Sequence, residues 1–256
     1  MTLGGVVCLN RRSGRYLVAI AAAALSSVGG VAFGGEPHLR TAATLGAARP
    51  AAVPGDYLLT PHGFFHPSCV VEVAKGERVA ADNTLVRSNG SKRAVAPCQF
   101  ERYDRAGRVV PRGSGSDSQL KASAAFTDGW VTFAAAFPAP ISKLYTQWKV
   151  PQRPTNIGNQ ILYFFPGFVP PSNAEILQPV LQFFGYEGAN AQWSIGSWDC
   201  CASGNDWHGP FADVSPGDLI SGTLTGSSCN ASTGVCSNWS IETLSSSGAQ
   251  SVLNVS

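Results

Sequence analysis

Residues 238–244 read Asn-Trp-Ser-Ile-Glu-Thr-Leu, in which polar side chains alternate with Trp239 and Ile241. Strict alternation over a short run predicts a β-strand with one buried face, because successive side chains point to opposite faces of a sheet. Residues 144–150, which precede Pro151, alternate in the same way. The continuous apolar run 161–165 predicts a strand that is buried on both faces.

Further short runs fill the rest of the second half. They comprise residues 130–133, 180–184, 192–195, 219–224 and 251–255. Turn-forming clusters such as Ser215-Pro216-Gly217 separate them, and the 28 Gly and 17 Pro are high counts for a helical protein. Short strands at this spacing predict an all-β fold, specifically an antiparallel β-sandwich.

The first 34 residues have the features of a signal peptide. Three arginines lie between positions 11 and 15, an apolar run covers residues 16–31, and small residues occupy positions 32 and 34. The apolar run is shorter than the roughly 20 residues that a membrane-spanning helix needs. We therefore expect cleavage, secretion to the extracellular space, and no membrane association afterwards.

Six cysteines follow the predicted signal peptide. They are Cys69, Cys98, Cys200, Cys201, Cys229 and Cys236. An even number in an exported chain predicts disulfides, although six cysteines allow 15 pairings. Proximity in the sequence favours Cys69–Cys98 and Cys229–Cys236. The adjacent Cys200 and Cys201 would then form either a vicinal disulfide or two longer links.

Metal binding is the competing interpretation of these residues. Zinc needs spaced thiolate or imidazole ligands, and Cys200 and Cys201 have no spacer between them. His62 and His66 flank a Gly-Phe-Phe tripeptide and would suit a pair of ligands, but no third ligand is evident. We therefore expect neither a metal nor another cofactor.

The charges are divided unevenly along the chain. All 15 Lys and Arg residues that follow the signal peptide lie between Arg40 and Arg153, whereas residues 154–256 contain seven acids and no Lys or Arg. This division predicts two units, or a basic arm on an acidic body. We assign residues 35–127 to a basic, disulfide-bearing prosegment or small accessory region, and residues 128–256 to the sandwich.

The basic residues between positions 87 and 112 would suit a nucleic-acid surface by charge alone. Export and the acidic second half argue against that partner, so we expect no nucleic-acid binding. The protein is expected to be a monomer.

Several motifs occur in a recognisable order in the second half. They are Asp128-Gly129-Trp130, residues 145–151, Glu175-Ile176-Leu177-Gln178, residues 192–198, residues 214–220 and residues 240–244. In this order they resemble the secreted glutamic peptidases of the eqolisin type, over about residues 128–256. The resemblance implies a concanavalin-like jelly roll that hydrolyses polypeptides at acidic pH.

The same resemblance implies that Gln178 is the reactive glutamine. In that family the glutamine holds a water and stabilises the oxyanion, while a glutamate acts as the general base. The family's glutamate lies on a strand after the segment that matches residues 241–255, and nothing in this sequence matches it. Either the sequence is a fragment or early-stopped product, or Glu187 or Asp199 substitutes, or the protein is a non-catalytic relative.

Less specific interpretations remain open for these residues. A Gln between apolar neighbours is more often an ordinary sheet residue, and Gln182 would face the same side as Gln178. Most Trp residues are expected in the core, although Trp193 and Trp198 are candidates for a substrate groove. The alternative function is a secreted, non-catalytic sandwich that binds carbohydrate or protein.

Overall fold

The computed structural model describes residues 8–9, 16–18, 49–111, 134–136, 140–157, 160–169 and 176–256. Within these ranges the protein is all-β, as the sequence predicts, and its helical residues form only short 3-10 turns. Most of the predicted signal peptide lies outside the described residues, as does the predicted boundary between residues 127 and 128.

The strands vary from two to 11 residues in length. In chain order they are β1 (Cys8–Leu9), β2 (Tyr16–Val18), β3 (Leu58–Thr60), β4 (Gly63–Phe65), β5 (Val70–Glu72), β6 (Arg78–Val79), β7 (Thr84–Val86), β8 (Lys92–Ala94), β9 (Arg102–Tyr103), β10 (Val109–Val110), β11 (Ala134–Ala136), β12 (Lys143–Lys149), β13 (Ile161–Phe164), β14 (Ile176–Phe184), β15 (Trp193–Cys200), β16 (Asp206–His208), β17 (Ala212–Val214), β18 (Leu219–Cys229), β19 (Cys236–Ser245) and β20 (Gln250–Val255).

Two sheets pack face to face and form a β-sandwich. The eight-stranded sheet has the order β1-β12-β18-β19-β20-β6-β7-β8, and the six-stranded sheet has the order β13-β14-β15-β16-β5, with β17 also paired to β15. Leu177 and Trp207 of the six-stranded sheet share one buried cluster with Leu224, Ile241 and Leu253 of the other. Burial of this apolar surface between the sheets is the main source of stability.

Residues 49–111 contribute strands to both main sheets. Strand β5 pairs in parallel with β16, and β6 pairs in parallel with β20. The side chains of Val73, Val79 and Leu85 are buried in the same cluster as the sandwich residues. This region is therefore built into the sandwich, although its composition and charge differ from those of the second half.

A small third sheet covers the outer face of the six-stranded sheet. Its order is β10-β9-β4-β3. The Tyr163 hydroxyl on β13 donates to the Leu59 carbonyl of β3 at 3.1 Å. Ile161, also on β13, packs against a buried cluster that includes Tyr57 and Phe64. The inner face of the six-stranded sheet thus meets the sandwich core, and its outer face meets the basic region.

The apolar run at residues 161–165 differs from its prediction of burial on both faces. Strand β13 forms one edge of its sheet, and its residues are only half-buried. Strand β14, which lies between β13 and β15, is buried on both faces from Leu177 to Phe184. Sheet position, which the composition of a strand does not specify, explains the difference.

The disulfides Cys69–Cys98 and Cys229–Cys236 are formed, which confirms the two pairings predicted from proximity. The second one closes the hairpin between β18 and β19. Cys200 and Cys201 are bonded to each other at the end of β15, which is the vicinal alternative.

Candidate functional site

The alternation of β14 places Gln178 on the outer face of the six-stranded sheet. Leu177 and Leu181 enter the two clusters of the sandwich core, so Gln178 and Gln182 point the other way. Both glutamines are buried, because the small sheet of the basic region covers this face.

His62 approaches Gln178 from the tip of the β3–β4 hairpin. Its Nε2 lies 2.7 Å from Gln178 Oε1, and its Nδ1 lies 2.8 Å from Asp206 Oδ1. The turn that presents it is held by Thr60, whose hydroxyl accepts from the His62 backbone N–H and donates to the Gly63 carbonyl. One imidazole therefore joins a glutamine and a carboxylate on the outer face.

Two orientations of the Gln178 amide satisfy this arrangement. With Gln178 Oε1 toward the ring, His62 Nε2 carries a hydrogen and donates to it. With the amide reversed, Gln178 Nε2 donates to an unprotonated His62 Nε2, and His62 Nδ1 donates to Asp206.

Asp206 is fully buried on β16, directly opposite Cys200 of β15. Its Oδ1 contacts His62, while its Oδ2 is buried without a hydrogen-bond partner. A buried, unpartnered carboxylate oxygen is costly, and such an atom needs a functional explanation. Here it offers a proton acceptor beside the imidazole.

The ring of Trp198 lies edge-on to His62, with 6.1 Å between centroids, and Trp198 also contacts His208. Trp198 stands directly opposite both Gln178 and His208 in the strand register, and its Nε1 donates to Gln182 Oε1 at 3.3 Å. The His208 ring stacks on Phe211 with 4.4 Å between ring centroids. Burial lowers the pKa of His208, so this ring is neutral at neutral pH and adds no charge to the site.

Arg105 holds the hairpin tip in place. Its Nη2 donates to the Thr60 carbonyl at 3.2 Å and lies 3.5 Å from the Pro61 carbonyl. The guanidinium also lies over the Tyr163 ring, 5.3 Å from its centroid. Burial lowers the pKa of Arg105, but the group stays charged because an arginine titrates far above neutral pH. Arg105 therefore anchors the turn that carries His62 and so positions the imidazole.

The structure brings some of the sequence candidates together and separates others. Gln178 and Trp198 are neighbours on the outer face, whereas Trp193 points into the sandwich core and packs on Phe183. Asp199 is buried on the inner face of β15, opposite Leu177.

Glu187 is also remote from Gln178. It lies in the 3-10 turn Gly185–Asn190, beyond the far end of β14. The six steps along the strand from Gln178 to Phe184 alone span about 20 Å. Neither acid named from the sequence therefore meets the glutamine.

Sequence reasoning missed Asp206, the acid that contacts the same imidazole as Gln178. Asp206 lies on a strand of three residues, which is too short to show a recognisable alternation. His62 was considered only as a metal ligand beside His66. The buried Thr-Pro-His-Gly turn before two phenylalanines was the available signal for His62, but it does not reveal what the imidazole contacts.

The site also contains atoms that resemble a metal-binding group. Ligand atoms of His62, Cys200 and Asp206 all lie within 4.8 Å of one another. However, Cys200 is bonded to Cys201, and the Arg102 guanidinium lies 2.6 Å from Cys201 Sγ. Its fixed positive charge disfavours a cation, so we do not assign a metal here.

His66 does not join His62. It accepts from the Ser68 backbone N–H at the start of a 3-10 turn, and its ring stacks on Phe100. The two histidines therefore have separate roles.

Comparison of the chain with protein-family models, with curated proteins and with solved structures finds no match in any of the three. In the part of the chain that the structure describes, no helix has the length and apolar character needed to cross a membrane.

Proposed function

We propose that the protein is a secreted, glutamic-peptidase-like hydrolase of polypeptides in a closed form. One observation carries the proposal: the buried side chains of Gln178 and Asp206 converge on the two sides of a single imidazole, on the outer face of the sheet. Asp206 takes the place of the acid that the sequence resemblance left unmatched. Secretion is supported by the disulfides, which persist in oxidising compartments.

The proposed reaction uses these two side chains in complementary roles. The Asp206 carboxylate removes a proton from a water, and the resulting nucleophile attacks the carbonyl carbon of a peptide bond. An N–H of the Gln178 amide donates to the oxyanion that develops. The proton held by Asp206 then passes to the leaving amine. The unpartnered Oδ2 is the proton acceptor that this step needs.

His62 closes the site in the described conformation. It lies where a water and a substrate carbonyl would bind, and its side chain is only 6% exposed. Substrate access therefore needs the β3–β4 hairpin to withdraw. Strands β5 and β6 can stay in their sheets during this movement, because their pairing with β16 and β20 does not involve the hairpin.

Acid is the signal that suits this opening. Protonation of carboxylates on the acidic half weakens their attraction for the basic region. Activity therefore needs a pH low enough to loosen the hairpin, and we expect the optimum on the acidic side of neutrality.

The first test is digestion of an unfolded protein substrate across this pH range. Gln178→Ala should abolish cleavage, whereas the matched control Gln182→Ala, on the same face of the same strand, should retain it. His62→Gly should raise activity, because it empties the closed site. Cleavage by Gln178→Ala at the wild-type rate would overturn the proposal.

The alternative function, a non-catalytic binding module, has less support. Carbohydrate platforms need exposed aromatic rings, and the five Trp residues within the described ranges are buried or half-buried. Wild-type protein that cuts no substrate, even after His62→Gly, would favour this alternative.

A further inference from the structure

A second arginine, the half-buried Arg102, faces the vicinal disulfide. Its Nη1 lies 2.6 Å from Cys201 Sγ and 3.6 Å from Cys200 Sγ. The guanidinium also lies over the Phe65 ring, 5.6 Å from the centroid, and its Nε is buried without a hydrogen-bond partner. The arginine is therefore directed at the two sulfurs rather than at solvent.

The charge of Arg102 is incompletely balanced. Burial lowers its pKa, and the charges of Asp206 and Asp104 oppose that effect without removing it. Among the described residues, no carboxylate lies within ion-pair distance of this guanidinium, and Asp104 pairs with Arg108 instead. Disulfide sulfurs are neutral, so they leave the buried charge uncompensated. A thiolate at either sulfur would compensate it, and a nearby arginine favours the thiolate form.

The two sulfurs differ in access. Cys200 is 3% exposed, whereas Cys201 is half-buried at the end of the strand. An external nucleophile would therefore reach Cys201 Sγ first and leave the thiolate on Cys200. That leaving sulfur lies beside the guanidinium, which would stabilise the charge it acquires.

Neither of the other two disulfides combines an accessible sulfur with a neighbouring cation among the described residues. Cys69 and Cys98 are both buried. Cys229 is exposed at a hairpin tip, so attack there is sterically open. Within the described ranges, no cationic side chain donates to the sulfurs of either pair. The chain thus contains one accessible disulfide without a cation and one inaccessible disulfide, both useful as internal controls.

We propose that Cys200–Cys201 is a redox-active disulfide that exchanges with low-molecular-weight thiols of the glutathione class. A thiolate attacks Cys201 Sγ and forms a mixed disulfide there, and the electron pair of the broken S–S bond goes to Cys200. A second thiolate attacks the sulfur of the small thiol in that mixed disulfide and releases Cys201 as a thiolate. The protein gains two electrons, and two small thiols become one disulfide. The proposal does not depend on the hydrolase assignment.

The test treats the folded protein with increasing concentrations of reduced glutathione, followed by alkylation and mapping of the labelled cysteines by mass spectrometry. Cys200 and Cys201 should be labelled at thiol concentrations about tenfold lower than Cys229 and Cys236, because the cation stabilises the leaving thiolate. Labelling of Cys229 and Cys236 first, or of both pairs together, would overturn the proposal.

A variant series isolates the role of the cation. Arg102→Gln should slow exchange at Cys200–Cys201 roughly tenfold, while Arg102→Lys, which keeps the charge, should remain near the wild-type rate. Arg87→Gln is the control, since it removes an arginine that pairs with Glu77 instead of with a cysteine. Equal exchange rates in Arg102→Gln and the wild type would contradict the inference. If Arg102→Gln does not fold, the order in which the cysteines of the wild type are labelled still tests the proposal.

Discussion

The basic region, residues 49–111, and the acidic region, residues 176–256, are both all-β but are built differently. No strand of the basic region exceeds three residues, whereas β18 and β19 of the acidic region contain 11 and ten. Short strands bury little apolar surface of their own, so this region places Val73, Val79 and Leu85 in the sandwich core. The two regions therefore share one buried cluster although their charges are opposite.

The two regions also divide the candidate site between them. Gln178 and Asp206 come from long-range pairings in the six-stranded sheet, while His62 comes from the hairpin that covers it. In the part of the basic region that the structure describes, only the β3–β4 hairpin lies between Gln178 and Asp206. The strands that join the main sheets do not. The proposed opening therefore concerns a few residues rather than the whole region.

The largest expected effect tests the chemical role of the acidic region. Asp206→Asn keeps the shape of the side chain but removes the base, and we expect a loss of peptide hydrolysis of about 10²- to 10⁴-fold. Initial rates of digestion at the acidic optimum measure it. Glu242→Gln, on a half-buried acid of the other sheet that accepts from Gln250, is the control and should stay near wild type. Wild-type activity in Asp206→Asn would remove Asp206 from the mechanism.

The next effect tests whether the basic region is part of the sandwich. Leu85→Ala should lower the free energy of unfolding by about 2–5 kcal/mol, because Leu85 is fully buried among sandwich residues. All six Trp residues follow position 127, so Trp fluorescence in a urea titration reports unfolding of the sandwich and not of the basic region.

Val109→Ala is the matched control for that titration. Val109 lies in the same region but is 50% exposed, so its loss should cost less than about 0.5 kcal/mol. If Leu85→Ala left the Trp-detected transition unchanged, the basic region would be an independent arm after all.

A smaller effect sharpens the role of the hairpin. Arg105→Gln removes the charged hydrogen bonds to the Thr60 and Pro61 carbonyls, which are worth about 1.5–3 kcal/mol together. The hairpin should open more often, so hydrolysis should rise several-fold. Hydrogen exchange at β3 and β4 provides a second measurement. Unaltered exchange there would show that Arg105 does not hold the tip.

The smallest expected effect concerns acid stability within the acidic region. Partial burial alone would raise the pKa of Asp218, but bonds from the Ser215 N–H and the Ser247 and Ser245 hydroxyls lower it overall. A lowered folded-state pKa contributes stability above the unfolded value of about 3.9, and this contribution is lost as pH falls through the folded value.

Asp218→Asn should therefore destabilise the protein by less than about 1 kcal/mol near neutral pH and by less still in strong acid. Asp213 is the contrast, since burial raises its pKa, and Asp213→Asn should not destabilise at neutral pH. Thermal unfolding of both variants at several pH values measures the difference. Equal losses for Asp218→Asn at neutral and strongly acidic pH would contradict the assignment.

Much of the sandwich was predictable. Residues 238–244 alternate because one face of β19 is buried, and Cys229–Cys236 was evident from its short separation. The contribution of β5 and β6 was not predictable, because strands of two or three residues carry no period. The choice of Asp199 as a substitute acid was an avoidable error. Asp199 lies between Trp198 and Cys200 on one strand, so alternation already places its side chain on the face opposite to theirs.

By itself, the sequence determined the class of fold, the disulfide that closes the β18–β19 hairpin and the position of Gln178 on a strand. These properties depend on neighbours within a few residues, and local sterics and burial encode them directly. Only the tertiary structure decided which acid and which imidazole Gln178 meets. His62 lies 116 residues from Gln178 and 144 from Asp206 along the chain, so their contacts depend on strand register and sheet packing, which no local pattern specifies.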